Sequence, residues 1–435
     1  MHFRILTGWL FLAALGLWQG AQAQGLSIDI TNGNPSALPV AVVPFAFEGS
    51  GLPPDTDAGD VIRNDLARSG KFRTLPKGDV VEFPAHEADV KYATWRLLKQ
   101  DYLVIGRVRD GSDGSLRAEY ELFDVARQQR ILDGAITGQR TAMRDVAHQI
   151  ADAIYEKIIG VRGAFWTRIA YITATGLSPK IQYQLMVADS DGFNPQVVVR
   201  AAESLLSVAW SPDGRKLAYV SFESGNSQIY IQDLGTGMRQ LVSSNKGINS
   251  APAFSPDGSK LALTLSFAGN PDIYVIDLAS KSRIQITRHF AIDTEAVWTP
   301  DGQNLIFTSD RSGKPQLYQV SASGGEPTRI TFDGQYNAGA SVSYDGKQIA
   351  MVQGNGNVYR IAILDRTTGQ YTQISPGNQD ESPSFAPNAG MVLYAATEGT
   401  RGVLYSVSAD ARVRQRLVLA DGDVREPAWG PYRQR

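Results

Sequence analysis

Ser207–Val220 reads SVAWSPDGRKLAYV, and the pattern returns as APAFSPDGSKLALT over Ala251–Thr264 and EAVWTPDGQNLIFT over Glu295–Thr308. Each copy is an apolar run, a Pro-Asp-Gly turn and a second apolar run. Asp-Gly between β-rich runs signals a tight turn, because glycine enters the left-handed region without steric cost. Pro212, Pro256 and Pro300 are spaced by 44 residues, and the series continues at Tyr344, Pro387 and Pro431 with one step of 43. A repeat of this length holding four strand-like segments marks a β-propeller. In the first complete unit the segments are LSVAWSP, KLAYVSF, SQIYIQDL and the more polar MRQLVSS.

The ends of the repeat region predict how the ring closes. The chain finishes on PAWGPY, a first strand with no second strand after it, whereas TRIAYITAT (Thr167–Thr175) is a second strand with no first strand before it. Joined, they make one blade. First strands at Trp210, Phe254, Trp298, Val342, Phe385 and Trp429 then count six blades, closed by the C-terminal strand. A closed ring leaves no major open sheet edge. The repeated aromatics read as packing between neighbouring sheets, and the turn aspartates as turn formers.

Residues 24–160 have another texture. LPVAVVPFAF reads as a strand, DAGDVIRNDLARSG as a helix, KFRTL as a short strand and EADVKYATWRLLKQ as a helix. DYLVIGRV is a buried strand, RAEYELFDV and QRILDGAIT a hairpin, and TAMRDVAHQIADAIYEKIIG an amphipathic helix. The alternation predicts an α/β domain, helices packed on a mixed sheet, followed by the all-β propeller over 164–435. Ahead of it, Ile5–Trp18 is an apolar run after His2 and Arg4, leading to small residues at Ala21 and Ala23. This predicts a signal peptide over 1–23, cleaved after Ala23, and an exported mature chain without a transmembrane segment.

Composition excludes several chemistries. Basic and acidic residues number 42 and 44, for a net charge of −2, so no electrostatic footprint for nucleic acid is present. There is no cysteine, which removes thiol catalysis, disulfides and a lipid anchor on Cys. Four histidines, one of them in the signal, offer little for triads or metal sites, and His148 reads as an ordinary helix residue. Nucleophile-elbow, phosphate-loop, zinc-protease and EF-hand signatures are all missing from the sequence. No catalytic residue, cofactor or metal site is expected.

What varies between blades is the segment leading into each first strand: INSAPAF, DTEAVW, YNAGASV, DESPSF and VREPAW. These loops ring one mouth of the channel, where a fixed scaffold presents specialised residues. Asp293, Glu295, Asp380, Glu381 and Glu426 there make either a mildly negative rim or, less simply, oxygen ligands for a cation. A propeller hydrolase or lyase, and a glycan-binding propeller using Tyr336, are the competing readings. At the other end of the chain LSIDIT (Leu26–Thr31) alternates apolar and polar residues, as a strand added to a partner's sheet or as an edge strand of its own domain.

Taken together, the signal, LPVAVVPF, the SGKF segment (Ser69–Phe72), GAFWTRIAY at the junction, AWSPDGRKLAYVSFESG and the final AWGPY closely resemble the TolB family, periplasmic components of the Tol–Pal system. The chain departs from the repeat at Ser343-Tyr344, which lacks proline, and at Asn388-Ala389-Gly390, where glycine is displaced by one. The resemblance implies a non-enzymatic periplasmic adaptor linking inner-membrane TolA, with TolQ and TolR, to the outer-membrane lipoprotein Pal and indirectly to peptidoglycan. It implies roles in outer-membrane integrity and in envelope constriction at cell division. It places Pal over the propeller mouth at Ile248, Asn249, Ser250 and Ala251 and at Asp293, Thr294 and Glu295. Asn337, Asp380, Glu381 and Glu426 complete the expected rim. TolA is expected on the N-terminal segment, at Leu26, Ile28 and Ile30.

Overall fold

The structure, a computed structural model, describes residues 28–30, 36–419 and 422–434; the expected signal and Leu26 lie outside them. In four of the repeats the turn is closed by its own side chains. Ser211 Oγ donates to Asp213 at 2.6 Å and accepts from the Lys216 N–H at 2.9 Å, while Asp213 accepts from the Arg215 N–H at 3.0 Å. Ser255 with Asp257, Thr299 with Asp301 and Ser343 with Asp345 repeat the arrangement. Gly214 holds φ at +67°, and a Cβ there would stand 3.4 Å from Pro431. Likewise a Cβ on Gly258 would stand 3.7 Å from Pro212, so each of these turns packs over the proline of the blade before it.

Six antiparallel sheets form the ring, with innermost strands Leu205–Trp210, Asn249–Phe254, Asp293–Trp298, Tyr336–Val342, Glu381–Phe385 and Asp423–Trp429; we number the blades 1 to 6 in that order. Closure follows the expectation: Asp423–Trp429 pairs antiparallel with Arg168–Thr175, from Asp423 opposite Ala174 to Trp429 opposite Ile169. Apolar clusters fill the spaces between adjacent blades, Trp298 among them. The indoles also tie blades together. Trp210 Nε1 donates to the Ala428 carbonyl and Trp298 Nε1 to the Ala253 carbonyl, each at 3.0 Å and each one blade back.

The α/β domain is a mixed sheet. Strand β1 (Ile28–Ile30) does not belong to it; β2 (Leu38–Val42), β3 (Ala46–Phe47), β4 (Phe72–Thr74), β5 (Tyr102–Asp110), β6 (Leu116–Asp124) and β7 (Gln129–Gly138) do, in the order β4-β2-β5-β6-β7 with β3 beside β5. Pro44 ends the LPVAV run, since it has no N–H to give a ladder. Helices α1 (Ala58–Arg68) and α3 (Met143–Ile159) cover one face around Ile62, Leu66, Ile150 and Ile154. Asp57 caps α1 by accepting the Gly59 N–H at 2.9 Å, and Gly160, at φ +86°, ends α3. The helix expected over Glu87–Gln100 is shorter than its sequence pattern. Glu87–Asp89 forms a separate 3₁₀ turn and α2 spans only Tyr92–Leu97, seating Trp95 in the core on the other face of the sheet.

This domain packs on the end of the propeller that bears the SPDG-type turns. Asn388 Nδ2 donates to the Arg162 carbonyl at 3.1 Å, Lys71 pairs with Asp410 at 3.3 Å and Arg433 with Asp145 at 2.7 Å. The two departures from the repeat have different outcomes here. In blade 5, Ala389 takes the left-handed place of glycine at φ +56° and keeps the turn hydrogen bond to Ala386 O at 2.9 Å. Asn388 accepts from the Gly390 N–H as aspartate does elsewhere, and its amide supplies the donor to Arg162 that an aspartate lacks. Tyr344 is simply exposed, at 75 %. The loops of the opposite end, leading from each outer strand to the next innermost one, face away from the α/β domain.

Candidate functional site

Each innermost strand carries a bulge at one equivalent position near this open end. The pairing register shifts there in all six blades, and the residues at the bulge are Ser207, Ala251, Glu295, Gly339, Ser382 and Glu426. All have positive φ, from 49° to 62°, although only one is glycine. A left-handed non-glycine residue costs about 1–2 kcal/mol, and a cost repeated around the ring marks a backbone requirement of the channel. Two side chains of the ring use the amides so exposed. Glu426 Oε2 accepts from the Ser207 N–H at 3.2 Å, and Glu295 Oε2 from the Gly339 N–H at 3.1 Å, each reaching to the next blade. The two glutamates stand three blades apart on opposite sides of the ring.

Between them lies a cavity of about 470 Å³, lined also by Tyr336, Tyr359 and Glu381. Burial, reinforced by the charges of Glu381 and Glu295, pushes the Glu426 carboxyl above its ordinary range. The mouth is therefore an acidic funnel whose carboxylates repel one another.

Two residues before the bulge, blades 2 to 5 carry a different kind of side chain. Asn249, Asp293 and Asn337 are 0 % exposed and Asp380 is 2 % exposed. Their polar atoms are spent inside the protein. Asp293 holds Arg311 through both oxygens at 3.0 and 2.8 Å, and Asn249 Nδ2 donates to the Asn245 carbonyl at 2.7 Å. Asn337 Nδ2 donates to Gln316 Oε1 at 2.9 Å, and Asp380 accepts from the Gly377 N–H at 3.0 Å. These four fasten the entry loops. Of the expected rim residues, Ile248, Ser250, Ala251, Thr294, Glu295, Glu381 and Glu426 reach the surface or the funnel.

Of the apolar part of this end, sequence reading named only Ile248. Phe290 is 87 % exposed and Phe332 74 %, and Phe267, Ile248 and Ile292 are open to solvent on neighbouring loops. Their signal was available, since an aromatic residue in a polar connecting loop has no core to fill. Apolar tips around a polar funnel are the composition of a protein-binding surface.

Of the N-terminal segment, the described residues Ile28–Ile30 have a definite place. Strand β1 pairs antiparallel with the outer strand of blade 5, Val413–Arg416, as its fifth strand, with Ile28 opposite Gln415, Asp29 opposite Arg414 and Ile30 opposite Val413. It lies on the propeller and not on the edge of the α/β sheet. Because Val413 follows the turn facing the α/β domain, the earlier residue Ile28 is the one nearer the open rim.

Among the described residues one group of His and Asp side chains converges as metal ligands would: Asp65, His148 and Asp191, at the domain junction. Arg68 and Arg144 already pair with its two carboxylates, which makes it an ion-pair cluster. No helix among the described residues is long and apolar enough to cross a membrane.

Residues 26–131 match the family model of the TolB amino-terminal domain, and residues 155–433 that of the TolB beta propeller domain. The chain is 69 % identical over 415 residues to the Tol-Pal system protein TolB of Xanthomonas euvesicatoria pv. vesicatoria (strain 85-10), covering 95 % of this chain and 94 % of that one. The protein of the same description from Xanthomonas campestris pv. campestris (strain B100) has the same identity and coverage. The crystal structure of TolB from Acinetobacter baumannii superposes with a TM-score of 0.86 at 40 % identity, covering 94 % of this chain and 100 % of that one.

Proposed function

The chain belongs to the TolB family and so to the Tol-Pal system, and from that membership we propose that it is a non-enzymatic periplasmic adaptor holding two partners at separate surfaces. The lipoprotein Pal docks over the open rim, and TolA takes the N-terminal segment containing Leu26, Ile28 and Ile30. Linked in this way, the inner-membrane TolA, TolQ and TolR complex acts on the outer membrane and, through Pal, on peptidoglycan, which supports envelope integrity and constriction at division. The observation that carries the reading is the open end itself: a funnel with exposed apolar tips, turned away from the α/β domain. Ile248, Ala251, Thr294 and Glu295 make the contact, while Asn249, Asp293, Asn337 and Asp380 keep its loops in shape.

The test replaces two rim side chains that are partly open to solvent. Ala251→Trp and Thr294→Trp are expected to weaken Pal binding at least tenfold in calorimetry with an unchanged melting temperature. If both variants bind Pal as the parent does, the rim is the wrong face.

The two partner surfaces are set to communicate. A three-residue strand gains a few hydrogen bonds, each worth about 0.5–1.5 kcal/mol net, against an ordering cost of about 1–2 kcal/mol per residue. Docked and released states of β1 are thus close in free energy, so a modest preference of Pal for one of them shifts the supply of TolA-competent segment.

A further inference from the structure

Where the two domains meet, a histidine is enclosed that no part of the adaptor role uses. His148 lies in the second turn of α3 and is 1 % exposed. Its Nδ1 is 2.6 Å from Asp65 Oδ2 on α1, and its Nε2 points toward Asp191 Oδ2 of blade 6 at 3.8 Å, with no hydrogen-bond partner. Asp191 sits in the turn between Gln182–Asp189 and Gln196–Ala201, which meets α1 through Ser190 and α3 through Asp191 itself. Arg68 binds Asp65 at 3.0 Å and reaches Ser190 Oγ at 2.8 Å across the junction. Arg144, one turn before His148, pairs with Asp191.

A neutral imidazole carries one N–H. Donated to Asp65, it leaves a lone pair facing the Asp191 carboxylate; turned the other way, it leaves a lone pair facing Asp65. Both carboxylates are served only by the imidazolium. The charge count agrees. From α1 the ring faces Asp65 and Arg68, from its own helix Arg144 and Asp152, and from the propeller turn Asp189 and Asp191. Counting Arg162 of the linker, which stands by Asp152, three guanidiniums against four carboxyls leave the enclosure one positive charge short. A divalent cation would have to displace Arg68 and Arg144, whereas a proton fits the geometry already present.

We propose that His148 is a proton-operated latch between the domains: as the imidazolium it bridges Asp65 of α1 to Asp191 of blade 6, and loss of its proton loosens the junction. The directions of titration agree with the geometry. Desolvation opposes charging of His148, but the Asp65 charge and hydrogen bond, with Asp191 behind them, outweigh it and the opposing Arg144, so its pKa is raised. Asp152, which accepts the Phe165 N–H of the linker at 2.8 Å, is pushed up to about 6 by burial. Both groups bind protons more tightly in the folded chain than in the unfolded one, and for His148 the share of that preference that belongs to the junction is the Asp191 charge. Their stabilisation is complete at low pH and is lost as pH rises, for Asp152 between about 4 and 6 and for His148 from about 6.5 upward. Asp191 has the opposite sign, its pKa lowered by His148 and Arg144 against desolvation, and matters only in acid.

The sequence lacks cysteine, so Asp113→Cys and Lys314→Cys place one dye on each domain of the full chain. Interdomain energy transfer should report an opening equilibrium that rises with pH above about 6.5, by up to about tenfold per unit for one linked proton. His148→Gln should remove that slope and show the high-pH behaviour already at pH 6. Asp191→Asn, which changes an aspartate of the propeller turn and leaves the helices intact, should do the same. Nitrogen NMR of the imidazole at pH 6 should find both ring nitrogens of His148 protonated. A neutral ring at that pH, or a pH slope that survives both substitutions, overturns the latch.

Discussion

At the scale of single residues, the repeated turn is a small electrostatic device. Asp257 accepts from the Ser255 hydroxyl, the Ser259 N–H and the Ser259 hydroxyl, and these bonds, the Ser255 one foremost, hold its carboxyl at about 2. A depressed carboxyl stabilises the fold above its unfolded value of about 3.9, and that contribution disappears as pH falls to about 2. Ser255→Ala should return the Asp257 titration toward the ordinary range in carbon NMR; an unmoved titration would show that the hydroxyl is not the cause. Ala389 holds φ at +56° where the other copies of this turn have glycine. Ala389→Gly should raise stability by about 0.5–1 kcal/mol, the left-handed strain relieved less the entropy of glycine, read as a higher denaturant midpoint at unchanged slope. The displaced glycine of this repeat was legible in the sequence. Its reason was not, because Arg162, the partner of Asn388, is 226 positions away.

At the scale of elements, strands, turns and long helices followed their local patterns, since alternation, Asp-Gly turns and caps are written in neighbouring residues. The short α2 did not, because Trp95 is placed by the sheet beneath it and not by helical periodicity. Strand β1 is the clearest case of an element placed by a distant partner. An alternating stretch suits any open edge, and only the fold shows that the outer strand of blade 5 takes it. Deleting residues 24–33 should therefore leave the melting temperature nearly unchanged, increase amide exchange in Val413–Arg416, and abolish TolA capture. Full TolA affinity in the deletion would place that partner elsewhere.

At the scale of the whole molecule, closure is the decisive interaction. Asp423–Trp429 supplies the innermost strand of blade 6, and Trp429 Nε1 donates to Thr167 Oγ1 at 2.8 Å across 262 positions. Removing the chain from Asp423 onward opens the Arg168–Thr175 edge and uncovers the apolar cluster of Ile169, Tyr171 and Leu393. The truncated protein should lose its cooperative unfolding transition and bind a hydrophobic dye. A sharp transition near the parent's temperature would mean that blades 1 to 5 stand without the closing strand.

What the sequence determined by itself was the architecture: period, turn chemistry and two orphan half-blades are local or repeated features, so six blades, their closure and the attached α/β domain could be read without coordinates. The tertiary structure decided exposure and company. It separated Asn249, Asp293, Asn337 and Asp380, buried in loop scaffolding, from the residues that face the funnel, and it set His148 between two carboxylates. Burial and electrostatic environment depend on chain segments far apart in sequence, and only folding brings those together.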